Sequence, residues 1–345
     1  MGINVGIIGC GSIAKNRHAP EYGANPYVNE IVFYDRNPER AEALAKQFNG
    51  RAAYSLEDLL EDPSVEAISV CSSNENHEKD TVSALLSGKH VLCEKPLSLE
   101  VDEARNMIRT RDETGKKLMI AHNQRFTKAH KEAKEIISSG KLGKVLTFRT
   151  TFGHGGPESW GINKTNSTWF FKKNRSGLGV AGDLGVHKID LIHYLLDDQI
   201  TDVSSFMGAL HKKDESDKPI EVCDNIVCSL KTRKGIIGTG SFSWTYYGEE
   251  DNSTILYCEK GILKIYHDPD YQLELVSHAG EKIRYEIEGI QTNENQSASG
   301  VIDAFLESLQ HDEHVPVTGE DGLLSLQVIL AIIKAAETNT VVEVD

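Results

Sequence analysis

No apolar run in the chain approaches the roughly 20 residues needed to span a bilayer, so there is no membrane-crossing segment to place. A block of Lys and Arg is also missing. The 37 basic and 52 acidic residues leave a net charge of −15 over 345 residues, whereas neutralising a phosphate backbone needs a basic face. Nucleic acid is excluded as a partner, and an anionic ligand must be held by local geometry. The six cysteines (Cys10, Cys71, Cys93, Cys223, Cys228 and Cys258) form no CxxC pair. No His/Cys/Asp cluster stands at zinc spacing, and no metal is expected. The cysteines sit mostly in strand-like apolar runs, the setting of buried reduced thiols. The start has neither the basic segment nor the long apolar segment of a signal peptide, and Gly6 stands where a myristoylation signal needs Ser or Thr. A cytoplasmic location is expected. There is no internal repeat, low-complexity tract or long linker.

What is present has the balance of a soluble globular protein, 39% apolar and 26% charged. The length suggests two domains, at roughly 150 residues each. Apolar strand-like runs at 3–8, 30–35, 65–71, 90–93 and 118–121 alternate with helix signals. These signals are Asn37-Pro38 before ERAEALAKQF, Ser55 with Asp58 as a capping box, and the 77–87 and 99–114 segments. Such alternation predicts a doubly wound parallel sheet over residues 1–122. The texture then changes. From 201 to 287 strand-like runs are punctuated by TRKG, EKG, HDPD and HAGE, which predicts an antiparallel sheet. Helices are expected at 298–310 and 319–337, the second opened by Thr318 with Asp321. Residues 123–345 therefore read as an α+β domain, with a last helix that can pack back on the first domain.

The stretch GIIGCGSIA carries the first chemical signal. Gly9, Gly11 and Ala14, with Ser12 and Ile13 between them, fit G-x-G-x-x-G/A: a tight turn, a close backbone approach to pyrophosphate, and a small residue where helix packs on strand. The helix start adds unpaired N–H groups and partial positive charge. A second strand, IVFYD, ends in Asp35, placed to take the adenosine ribose hydroxyls and repel a 2′-phosphate. Strand, glycines, helix and acid together point to NAD. Arg36, next in sequence, leaves NADP open.

Two further stretches matter. In GKHVLCEKPL a strand runs straight into Glu94-Lys95-Pro96. A lysine at the carboxyl end of a parallel strand points into the crevice where such sheets bind ligands, although a surface lysine before a turn proline reads the same way. In AGDLGVHKIDLIHYLL, Asp183, His187 and Asp190 fall on one face of a helix striped by Leu184, Leu191 and Leu195. An ordinary amphipathic helix with solvated polar residues is the plain alternative.

Taken jointly, GxGxxA, EKP and D-x-G-x-H-x-x-D resemble the Gfo/Idh/MocA oxidoreductases, which include inositol dehydrogenases and glucose–fructose oxidoreductase. The likeness runs over nearly the whole chain. It implies a Rossmann domain followed by a domain for substrate binding and oligomerisation with a large, open, mostly antiparallel sheet, whose exposed face builds a dimer or tetramer. It assigns Lys95, Asp183 and His187 to catalysis and suggests a cis Lys95–Pro96 bond. By the same likeness SSNENH, with Ser72, Asn74 and His77, is the nicotinamide-side loop, and HNQRF is the domain junction, where Asn123 and Arg125 are expected to meet substrate. Ser73 departs from the proline that many members carry there.

Oxidising a secondary alcohol couples hydride loss from carbon to removal of the hydroxyl proton. Histidine suits the proton, because its unperturbed pKa of about 6.5 lies near working pH. A lysine ammonium would stabilise the developing alkoxide, and Asp183 would orient His187 or bind a neighbouring hydroxyl. The long segment 151–177 carries His154, Trp160 and Trp169 among Gly-rich turns. Aromatic faces with polar tips suit a polyol or sugar, and a packed surface loop or subunit contact suits the composition too. The sequence thus predicts NAD(H)-dependent oxidation of a cyclic polyol or sugar. An NADP(H)-dependent reductase and a non-catalytic dinucleotide sensor remain as alternatives.

Overall fold

The computed structural model describes residues 2–161, 164–287 and 298–344. Ile162 and Asn163 of the 151–177 segment lie outside the described residues.

The chain forms two compact units. The first runs to Asn123 and takes in, from the C-terminal region, the helix Val301–Gln310 and the chain as far as Leu323. Its sheet contains β1 (Ile3–Ile8), β2 (Val28–Tyr34), β3 (Arg51–Ala52), β4 (Val65–Val70), β5 (His90–Cys93) and β6 (Leu118–Ile120). These strands lie in the order β3-β2-β1-β4-β5-β6 with every pairing parallel. The order reverses between β1 and β4, the switch point at which doubly wound sheets bind ligands. Five strands fall where the apolar runs predict them. β3 escapes such a reading because two residues cannot show a period. The helices are α1 (Ala19–Ala24), α2 (Pro38–Gln47), α3 (Leu56–Glu61), α4 (His77–Leu86) and α5 (Val101–Thr114). Asn37 caps α2 by accepting from the Glu39 N–H. Ser55 caps α3 by accepting from Asp58 N–H, while the Asp58 carboxylate turns to Tyr54 N–H.

The second unit takes up the chain at Gln124 and returns at Leu324. Its helices are α6 (Lys128–Ser138), the short α7 (Lys173–Ser176) and α8 (Val186–Leu196). Its strands are β7 (Val145–Gly153), β8 (Ile200–Gly208), β9 (Asn225–Thr232), β10 (Ile237–Ser243), β11 (Thr254–Cys258), β12 (Gly261–Ile265), β13 (Leu273–Ser277), β14 (Lys282–Tyr285) and β15 (Val342–Glu343). They form one sheet in the order β14-β13-β12-β11-β7-β10-β9-β8-β15. All its pairings are antiparallel except β7 with β10. On β9, Ile226, Cys228 and Leu230 are buried while Val227, Ser229 and Lys231 are exposed, the alternation of a sheet covered on one face. Gly238 leaves room for the Phe148 ring, since a Cβ there would come within 2.5 Å of it.

The domain expected over 123–345 is thus interrupted. After α9 (Val301–Gln310), Ile120 N–H donates to Val317 O. At the start of α10 (Gly319–Thr338), Gly319 and Gly322 lie against Ile108, Ile120 and Leu97 without space for a Cβ. Thr318 and Asp321 close the expected capping box, exchanging bonds of 2.8 Å and 3.2 Å. Among the described residues no helix is long and apolar enough to cross a membrane.

Candidate active site

At the end of β1 the chain turns at Gly9 with φ +93°, and a Cβ there would lie 2.7 Å from the Ser72 nitrogen. Backbone conformation and close strand packing both require glycine. A Cβ on Gly11 would meet nothing within 4 Å, so this glycine faces open space. Ser12 and Ile13, half-buried, begin the helix, which then winds as a π-turn over Ala14–His18 before α1. Ala14 is fully buried. Asp35 accepts from Cys10 N–H and Asn37 N–H, each over 2.8 Å. Its carboxylate is therefore pinned beside the glycine turn with a second lone pair on each oxygen left for hydroxyls. Arg36 is exposed. An open glycine at a helix start, with a fixed carboxylate beside it, fits the pyrophosphate and ribose of a dinucleotide.

The loops that follow β4 and β5 are tied together. His77, 1% exposed, sets Nδ1 2.7 Å from Pro96 O and Nε2 3.1 Å from Ser72 O. Its ring is a strut between backbone segments. Ser72 Oγ donates to Asp80 over 2.6 Å, and Asn74 is buried. Lys95 is half-buried and its bond to Pro96 is cis. Burial works against an ionised Glu94, but the hydrogen bond from His18 and the charges of His18, Lys95 and Arg17 outweigh it and bring its carboxyl down to about 2. Asn123 is buried and lines a cavity of about 10 Å³ with Arg17, His18, Glu21, Glu94 and Ser299, room for one water.

In the second unit the helix bearing Asp183 and His187 departs from the amphipathic expectation. Every residue from Leu178 to Ile192 is buried, including Asp183, His187, Lys188 and Asp190. Glycines permit this: a Cβ on Gly185 would come within 3.0 Å of Phe242 and 3.1 Å of Ile329. Asp183 also sits in a π-turn, Ala181–Gly185, which precedes α8 and shifts the rotation that simple i, i+4 spacing assumes. Asp190, fully buried, is held by Arg125 in two bonds of 2.8 and 2.7 Å. The pair engages Nε and Nη2 of the guanidinium in a bidentate bond.

The remaining groups are brought together by rings. The Phe152 ring lies 5.8 Å from that of His187 and 5.8 Å from that of His154. His154 is 6.4 Å from Trp160, Trp160 is 5.0 Å from Phe170, and Phe170 is 6.4 Å from Trp244. Trp244 Nε1–H donates to Asp183 Oδ2 over 2.9 Å. The circuit leaves the helix at His187 and rejoins it at Asp183. Trp169 stacks on Phe170 at 3.9 Å. Lys212, which pairs with Glu158 and donates to Gly155 O, anchors this segment.

Sequence reasoning missed four of these groups: His18, Phe152, Lys188 and Trp244. Trp244 closes β10 in SFSWTYY, where its only signal is a large aromatic at a strand end. Lys188 is fully buried, donating to Asn252 O over 2.8 Å and Thr254 Oγ1 over 3.4 Å. Burial pushes its ammonium down to about 7, against the opposing charges of Asp251 and Glu250. Nothing in a lysine between histidine and isoleucine announces that. Among the described residues, no group of three His, Cys, Asp or Glu side chains is arranged to hold a metal ion.

Residues 3–122 match the oxidoreductase family with an NAD-binding Rossmann fold, and residues 130–264 match the GFO/IDH/MocA C-terminal domain. The chain is 27% identical to 1,5-anhydro-D-fructose reductase of Ensifer adhaerens, over 99% of this chain and 98% of that one. It is 24% identical to myo-inositol 2-dehydrogenase of Thermotoga maritima, over 99% of each. Levoglucosan dehydrogenase, solved in complex with NADH and levoglucosan, shares the fold with a TM-score of 0.88 at 22% identity over 100% of both chains. The chain therefore belongs to the GFO/IDH/MocA family of oxidoreductases, enzymes with an NAD-binding Rossmann domain.

Proposed function

We propose that the chain oxidises a secondary hydroxyl of a cyclic polyol or sugar, and reduces the matching ketone, with NAD(H). The first unit holds the dinucleotide through Gly9, Gly11, Ser12, Ile13, Ala14 and Asp35, with the loop of Ser72 and Asn74 beside it. The bound nicotinamide supplies the hydride acceptor or donor. His187 takes the hydroxyl proton, the Lys95 ammonium stabilises alkoxide charge, and Asp183, oriented by Trp244, fixes His187 or a neighbouring hydroxyl. The observation that carries this reading is the circuit of rings from His187 through Phe152, His154, Trp160, Phe170 and Trp244 to Asp183. Half-buried Phe152, His154, Trp160 and Phe170 beside a buried acid and histidine suit a ring with an apolar C–H face and hydroxyl edges. Relatives named for inositol and anhydrofructose support the same class.

The second unit also assembles copies. Phe206 is 78% exposed and Val227 is 58% exposed. They are cross-strand partners on the uncovered face of the sheet, which supports a homodimer or homotetramer through that face. A cytoplasmic location accords with the six free cysteines. The test is a screen of inositols, hexoses, anhydrosugars and their ketones with NAD(H) and NADP(H), read by nicotinamide absorbance. Turnover of one of these rings with NAD is the expected result. Cofactor binding with no turnover across the panel would favour a sensor, and preference for NADP(H) would pass the ribose contact to Arg36.

A further inference from the structure

The first helix carries a histidine that neither the glycine motif nor the proposed chemistry uses. His18 closes the π-turn Ala14–His18 and is 3% exposed. Its Nε2 lies 2.9 Å from Glu94 Oε1 and its Nδ1 lies 3.1 Å from Ser69 Oγ. Ser69 Oγ is in turn 2.7 Å from the hydroxyl of Tyr22, itself fully buried. The other oxygen of Glu94, Oε2, accepts from the backbone N–H of Lys95 over 3.2 Å. An ionised carboxylate only accepts, so the hydrogen between His18 and Glu94 belongs to Nε2. A single hydrogen-bonded chain thus links Tyr22, Ser69, His18 and Glu94, and from the far side the backbone N–H of Lys95 donates into the same carboxylate.

We propose that His18 is a positioning residue for Lys95: its Nε2–H fixes the Glu94 carboxylate, and that carboxylate fixes the peptide from which the Lys95 side chain departs. The inference rests on the reading of Lys95 as the group that stabilises alkoxide charge. Glu94 is itself tethered at its backbone, with N–H donating to Val70 O over 3.0 Å. Without His18 the carboxylate would lose its shortest hydrogen bond and keep the amide of Lys95 with the nearby charges of Lys95 and Arg17, and a buried carboxylate deprived of such a partner shifts toward water or takes a proton. A lysine that must meet a developing charge loses effect when its anchor drifts by a fraction of an ångström to an ångström. The arrangement also joins the helix that begins at the glycine turn to the strand end that carries Lys95, through side chains alone.

Two substitutions separate the two faces of the ring. His18→Gln keeps an N–H donor near the Nε2 position and so keeps Glu94 in place. His18→Asn reaches only the Ser69 side and abandons Glu94. Turnover with the fastest ring of the screen, NADH binding by nicotinamide fluorescence, and thermal stability would be measured for both. The Lys95 amine would also be labelled competitively with acetic anhydride in cofactor-free protein and read by mass spectrometry. The expected result for Asn is a fall in kcat of about tenfold or more, NADH affinity within a few-fold of wild type, and a changed Lys95 labelling rate. Gln should recover most of the rate and the labelling of wild type. The double variant His18→Asn/Lys95→Ala should be no slower than Lys95→Ala alone, because His18 acts through that lysine. Equal losses in Gln and Asn, unchanged labelling, or additive losses with an impaired Lys95→Ala would overturn the proposal and leave His18 a packing residue. Near-normal turnover of Lys95→Ala itself would instead remove the reading on which it rests.

Discussion

The helix that follows the glycine turn and the helix that bears Asp183 use one backbone device with opposite support. Both contain a five-residue π-turn, Ala14–His18 in the first and Ala181–Gly185 in the second, and both bring a buried histidine to its end or two residues beyond. In the first unit the groups beside the glycine turn and the following loops are held mainly by backbone, Asp35 by the amides of Cys10 and Asn37 and His77 by the carbonyls of Pro96 and Ser72, with Glu94 the exception that adds the His18 side chain to the amide of Lys95. In the second they are held by side chains: Asp183 by an indole, Asp190 by a guanidinium, and His187 beside a phenyl ring. Binding a cofactor places backbone at fixed points. Choosing a substrate depends on side chains that can be exchanged while the sheet behind them stays the same.

The strongest way to break this contrast is at Lys95. Lys95→Ala should lower kcat/KM by on the order of 10²–10³, the usual cost of one donor to a developing oxyanion, while NADH binding and stability survive. A loss confined to NADH affinity would make Lys95 another piece of cofactor scaffolding. Next in size is the buried ammonium of the second unit. Lys188 has a folded value near 7 against an ordinary 10.5, so the unfolded chain binds its proton more tightly between those values. Stability should rise with pH across that window and be lowest, on this account, at and below pH 7. In Lys188→Met the rise should flatten by on the order of 3 kcal/mol between pH 7 and 10, measured by urea unfolding. Parallel curves would place the ammonium in water.

Trp244→Phe tests the indole's hold on Asp183. It keeps a ring but removes the N–H and part of a fully buried indole, so kcat should fall about tenfold and stability by roughly 2 kcal/mol or more, the cost of a lost bond to a buried carboxylate plus the space left behind. An unchanged rate would show that Asp183 needs no orienting. The smallest effect is expected at the cofactor's ribose. Asp35→Ala should reduce the preference for NAD over NADP several-fold, in kcat/KM for each cofactor, and Arg36 next to it limits the change. Wild-type preference for NADP would assign Asp35 to the backbone alone.

How far the sequence could be read follows the same division. Glycines declare backbone geometry, so Gly9 and Gly11 and the strand before them are visible in a nine-residue stretch. Caps do the same for α2, α3 and α10 through Asn37, Ser55 and Thr318. The burial of α8 on all sides is invisible to a periodicity argument, because His187, Lys188 and Asp190 read as a solvated face until Gly182 and Gly185 are seen to admit Leu178 and Phe242. The commitment of Arg125 to Asp190 joins positions 65 residues apart. The π-turns leave no mark on composition, and Trp244 reaches Asp183 across 61 residues. Local rules cannot supply such pairings; spacing places Asp183 and His187 on one face, and the resemblance assigns them to catalysis.

The central claim is that His187 carries the hydroxyl proton, and kcat against pH in both directions, for wild type and His187→Asn, tests it most directly. Oxidation by wild type should rise with pH and level off once the imidazole is neutral, while reduction falls over the same range because it needs the imidazolium. His187→Asn should lose on the order of 10²–10⁴ in turnover, lose that pH dependence, and bind NADH as wild type does. An Asn variant that keeps the wild-type rate and profile would contradict the account and move the base to Asp183 or His154.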